Sequence, residues 1–173
     1  MTSFGVSEYA LEWKGGTSMS LANQKFLVPG TGVPARPGTE EAQRKLNISV
    51  VFTSVESTLA ALKEAGTLAR SLGARITLLV PQVVRYPLQL ENPPVSVEFS
   101  KERLREIASQ SPVETSVHIY LCRDRAQTLI SALKRGSIVV LGGRKRWWWP
   151  TRDEALARAL RRAGHEVIFR QTE

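Results

Sequence analysis

NISVVFTSVESTLAALKEAGTLARSLGARITLLV, residues 47–80, reads as strand, helix and strand in direct succession. Residues 47–52 are rich in β-branched side chains and predict a buried strand. Leu59, Leu62, Ala65, Ala69 and Leu72 then recur at helical spacing, with Ser57 in the N-cap place and Gly73 as the stop. Residues 75–80, RITLLV, form a second apolar run that Pro81 ends. A strand, helix and strand of these lengths make a crossover unit with parallel strands.

The pattern repeats downstream. After a loop through Tyr86, Pro87, Pro93 and Pro94, Ser100 or a near neighbour opens a helix carrying Leu104, Ile107 and Ala108, which ends near Pro112. Residues 115–121 predict a third strand, and 126–134 a helix with Leu129, Ile130 and Leu133 inward. Gly136 ends that helix, and residues 137–141, SIVVL, are apolar throughout, as suits a strand covered on both faces. Thr151-Arg152-Asp153-Glu154 has capping-box spacing ahead of Leu156, Ala159, Leu160 and Ala163. Gly164 closes that helix, and residues 166–170 make the last strand. The expectation is an α/β fold: a Rossmann-like, doubly wound, five-stranded parallel sheet in strand order 3-2-1-4-5, with helices on both faces.

Residues 1–46 differ from this. Positions 29–38 pack three prolines and three glycines, so the region is expected to be a flexible N-terminal arm or linker before a domain over 47–171. Phe4, Tyr9, Leu11, Trp13 and Phe26 are apolar enough to dock on the domain or on a partner, and Met19 is a second candidate start.

Among the 173 residues, 24 Lys+Arg oppose 16 Asp+Glu, a formal net charge of +8. From Arg123 onward, twelve Lys/Arg face five Asp/Glu, so most of the excess lies in the last third. Such a balance points to an anionic partner or surface and is silent on fold. No apolar run reaches the ~18–20 residues of a membrane span, and the N-terminus lacks a basic start and apolar h-region, so a cytoplasmic location is expected. The single cysteine, Cys122, excludes an internal disulfide framework. With two histidines, no metal site is expected.

Three stretches, residues 47–80, VHIYLCRDRAQTLISALKRGSIVVLGG (117–143) and DEALARALRRAGHEVIFR (153–170), together resemble the universal stress protein family. The resemblance implies a small cytoplasmic stress-response protein, often a homodimer paired through its last strand, here Val167, Ile168 and Phe169, and in many members an ATP or AMP binder. In open parallel sheets ligands sit beyond the carboxyl ends of the strands, where strand order reverses. Nucleotide-binding members place small residues there, so that backbone N–H groups reach the phosphates. This chain keeps Gly142 and Gly143, but Lys145 stands where the family's second glycine falls. Asp153-Glu154 stands near its Gly-Ser/Thr pair, and Thr53-Ser54 replaces its nucleoside-contacting acid. Two carboxylates at a helix N-terminus favour the helix and repel a polyphosphate. The expectation is that typical ATP binding is lost and no cofactor is held. If ATP, AMP or another anion does bind, Thr53, Ser54, Gly142, Gly143, Arg144, Lys145 and Arg146 are its candidate contacts.

Arg144-Lys145-Arg146-Trp147-Trp148-Trp149-Pro150 occupies the phosphate-loop position. Alternate residues of an extended segment point to opposite sides, so three adjacent indoles cannot all face the core. Four readings stand: Trp147, Trp148 and Trp149 fill the cleft; they form a subunit or protein-partner interface; the loop holds phosphates and stacks a base; or it meets a membrane surface.

Catalytic residues are not expected. His118 falls within a strand and His165 beside a helix C-terminus, and neither the G-x-S-x-G nor the G-x-x-x-x-G-K-[ST] pattern occurs. Cys122 beside Arg123 and Arg125 is the place for a thiol of lowered pKa, against the plainer reading of an inert cysteine. The functional expectation is a non-enzymatic, homodimeric regulatory or interaction domain. The alternatives are an AMP/ATP-binding regulator with an altered phosphate loop and a nucleic-acid-associated protein using the basic last third.

Overall fold

The structure, a computed structural model, describes residues 20–30, 46–90, 93, 95–144 and 151–172. Ten elements follow in chain order: β1 (Ser20–Val28), β2 (Asn47–Val51), α1 (Val55–Leu72), β3 (Arg75–Val83), α2 (Val97–Ser109), β4 (Thr115–Cys122), α3 (Arg125–Ala132), β5 (Ile138–Arg144), α4 (Arg152–Arg162) and β6 (Glu166–Thr172). The six strands form one sheet in the order β1-β4-β3-β2-β5-β6. β2 pairs in parallel with β3 and β5, β3 with β4, and β5 with β6. The chain is α/β with a mostly parallel sheet, of the Rossmann-like class.

Strand alternation sends two sets of side chains to two helical layers. Ile48, Val50, Ile76, Leu78, Val117 and Val140 meet Ala61, Leu62 and Ala65 of α1 and Leu104 and Ile107 of α2. On the opposite face, Val51, Leu79, Val139 and Leu141 meet Leu129 of α3 and Leu156 and Leu160 of α4. Both faces of the central strands are covered, which is why those strands read as unbroken apolar runs.

Strand count and order differ from the five-stranded expectation. Ser20–Val28, inside the span expected to be an arm, is a sixth strand, antiparallel to β4 with Lys25 opposite His118 and Val28 opposite Thr115. Phe26 and Val28 pack on the core, and the Arg105 guanidinium lies 5.2 Å from the Phe26 ring centroid. The free edge of β4 accounts for the added strand: an unpaired row of N–H and C=O groups is satisfied by any extended segment that reaches it. Ser54, not Ser57, caps α1, its hydroxyl accepting from the Ser57 N–H, and Ser96 rather than Ser100 caps α2. The capping box on α4 is formed as expected: Thr151 accepts from the Glu154 N–H, and the Glu154 carboxylate accepts from the Thr151 N–H at 2.8 Å. β3, β4, β5 and β6 also outrun their expected ends, whereas β2 stops one residue short of its own. β5 continues through Gly142 and Gly143 to Arg144, which stands opposite Thr172 of β6.

Candidate functional site: the crevice at the carboxyl ends of β2 and β5

From β2 the chain crosses to β3 on one side, while β5 lies on the other, so the reversal falls between β2 and β5. Phe52, Thr53 and Ser54 lead from β2 into α1, and Gly142, Gly143 and Arg144 end β5. The structure brings these sequence-predicted residues together, and they bond to each other. Thr53 Oγ1 donates to the Gly142 carbonyl at 2.8 Å, and the Thr53 N–H donates to Thr58 Oγ1 at 3.2 Å. The Ser54 hydroxyl is engaged in its cap.

The two glycines serve close packing. A Cβ at Gly142 would collide with the Ser57 backbone carbonyl, so the small residue is what lets α1 lie against β5. A Cβ at Gly143 would fall 2.8 Å from the Phe169 ring and 2.9 Å from the Asp153 Cβ. Both glycines stay in the β5–β6 ladder, opposite Arg170 and Gln171, so neither opens a turn around a phosphate.

Charged side chains then cross the mouth. Arg125, in the first turn of α3, donates from Nη2 to the Phe52 carbonyl at 2.8 Å and from Nη1 to Asp153 Oδ1 at 3.2 Å. One guanidinium thus ties the end of β2 to the start of α4. This pair is about three-quarters buried on each side, so it is less screened than a surface pair. Arg144 reaches Glu56 across the opposite lip at 3.4 Å, with both side chains largely exposed, and such a pair is worth ~0–1 kcal/mol. Ser57 Oγ and Thr172 Oγ1 meet at 2.9 Å beside it. Arg125 was visible in the sequence only as a neighbour of Cys122, and Asp153 as a helix-start acid near the place of the family's Gly-Ser/Thr pair. Their meeting depends on how α3 and α4 pack and left no local signal.

The remaining candidates lie apart. Cys122 is buried at the end of β4, and burial foremost pushes its thiol pKa up rather than down. Arg123, read from sequence as a possible activator, turns away: it donates to the Val84 and Leu88 carbonyls, both at 2.7 Å, and stacks 4.0 Å from the Tyr86 ring centroid. His118 sits on β4 opposite Lys25, with its Nδ1 3.5 Å from the Tyr120 hydroxyl. His165 is buried just before β6, at the other end of the sheet. Val167 and Phe169 pack toward α4 and Ile168 toward α1, all on the edge strand β6. Lys145, Arg146, Trp147, Trp148, Trp149 and Pro150 lie outside the described residues. Among the described residues, no three His, Cys, Asp or Glu side chains are grouped to hold a metal, and no helix is long and apolar enough to cross a membrane.

No protein-family model and no curated protein matches the chain.

Proposed function

We propose that this chain is a universal stress protein-like association domain, non-enzymatic and homodimeric, whose nucleotide crevice has been closed by its own side chains. The observation that carries this reading is the cross-bonding of the crevice. The Thr53 hydroxyl joins its two lips at Gly142, and Arg125 clamps Phe52 to Asp153. A nucleotide entering there would have to break partly buried hydrogen bonds, each worth ~0.5–1.5 kcal/mol or more where charged. Phosphates at the starts of α1 and α4 would also compete with Glu56 for Arg144, with Asp153 for Arg125 and with Glu154 for the Thr151 N–H. The dispersal of His118, His165 and Cys122 away from this crevice supports the non-enzymatic part. For the homodimer, β6 ends the sheet and so offers an edge for pairing with a second copy.

Calorimetric titration of the full chain with ATP and with AMP should give no heat of binding. Micromolar affinity for either would overturn this reading in favour of an AMP/ATP-responsive regulator.

A further inference from the structure

The opposite end of the sheet has a different character. β3, β5 and β6 begin there in register, with Arg75 beside Asn47 and Ile138 beside Glu166. Each is entered from the C-terminus of a helix: α1, α3 and α4 respectively. Those three helix exits carry Arg70 and Arg75, Lys134 and Arg135, and Arg161 and Arg162, and all six side chains are exposed. None is in an ion pair, because the two among the described residues, Arg125–Asp153 and Arg144–Glu56, are both at the carboxyl end. Two described acids join them at this end: Glu166, and Glu114, which precedes β4 beside Arg75, since Thr115 pairs with Ile76.

Some positive charge at a helix C-terminus is ordinary, because it offsets a partial charge of about half a unit. Three C-termini with Glu114 and Glu166 amount to about three and a half negative units, against six cations. A clear surplus is left for an outside anion.

The shape is also specific. Gly73, Gly136 and Gly164 each have positive φ, and nothing lies within 4 Å of where their Cβ would be. These glycines turn the chain out of its helices in the left-handed conformation, and the space over each of them is open. From β3 to β6 the row crosses three strand spacings, about 14 Å, comparable to about four phosphate-to-phosphate steps measured along the axis of a duplex. Among the described residues no exposed aromatic lies at this end: Tyr86 and Phe99 follow β3 and open α2 at the carboxyl end. Single-strand binders stack bases on aromatics, and membrane-surface helices pair their cations with Trp, Phe and Leu. Among the described residues, the large exposed apolar groups at this end are Leu27, Leu46 and Leu72, and Leu27 stands on β1, two strands away from the cation row.

From this we infer that the amino end of the sheet, around Arg70, Arg75, Lys134, Arg135, Arg161 and Arg162, docks the phosphate backbone of double-stranded nucleic acid without reading its sequence. The inference is independent of the crevice and of the β6 edge, and it stands whether or not a nucleotide binds.

The test is fluorescence anisotropy of a labelled mixed-sequence DNA duplex titrated with the full chain over a salt series. Log affinity should fall against log salt with a slope of about −4 to −5. Lys134→Glu/Arg135→Glu, both exposed and without side-chain hydrogen bonds, should weaken binding at least ~tenfold and flatten the slope by about 2. Arg85→Glu/Arg103→Glu makes the same change in net charge on exposed residues elsewhere, and should move binding less than twofold. Three results would each overturn the inference: no binding at low salt, equal losses in the two variants, or binding to phosphatidylserine vesicles that the duplex does not compete away.

Discussion

Gly142 shows how little room the crevice leaves. The Ser57 carbonyl occupies the space a methyl group would need, and that obstacle is helix backbone rather than a movable side chain. Gly142→Ala should therefore destabilise the fold by about 2–3 kcal/mol, the upper range for overpacking, read as a lower urea midpoint at unchanged slope. A glycine kept for phosphate contact would leave the midpoint nearly unmoved, so an unchanged midpoint would argue against the packing role. Thr53 and Ser54 teach a related lesson. In sequence they are two small hydroxyl residues after a strand, equally suited to a ligand or to the backbone. The structure commits one to the Gly142 carbonyl and the other to the α1 cap. Side chains that bond locally, such as Ser54, were nearly legible. Those whose partner is remote, such as Thr53 with Gly142, 89 residues on, were not.

At the scale of elements, the helices were the most readable parts, because capping residues and apolar stripes are local signals. The α4 capping box is an example. β1 was the least readable. Its neighbour is β4, about ninety residues later, and the proline- and glycine-rich stretch after it reads as an arm. Its pairing sets Lys25 opposite a half-buried His118. Burial first, and then the Lys25 charge, hold the His118 imidazole down at about 4 against an ordinary 6.5. The unfolded chain takes up that proton near 6.5, whereas the folded chain resists until about 4. The contribution to stability is thus complete above the higher value and drains away as pH falls toward the lower one. Thermal melts should show the midpoint falling between about pH 7 and pH 5. His118→Phe, which cannot charge, should show a smaller fall over that interval. Equal falls in both proteins would mean that the β1–β4 edge is not where the acid sensitivity resides.

For the whole molecule, the sheet ends in β1 on one side and β6 on the other. Val167, Ile168 and Phe169 remain only partly buried on β6 although they pack toward both helical layers. An edge strand of this kind pairs readily with another chain, so light scattering of the full protein at tens of micromolar should return twice the chain mass. Ile168→Lys, which sets two like charges near one another across a symmetric pairing, should shift the mass toward that of one chain. A protein that is already monomeric before substitution would remove the dimer from the proposed function. What the chain's own periodicity determined was the alternation of strands and helices, the covering of both sheet faces and the basic bias of its last third, since each follows from spacing or composition within a few turns. Only the tertiary structure decided that β1 closes the β4 edge, that Arg125 and Thr53 cross the crevice, and that six cations share one end. Those outcomes depend on contacts between segments far apart in sequence, whose partners are chosen by packing and carry no mark in the local pattern.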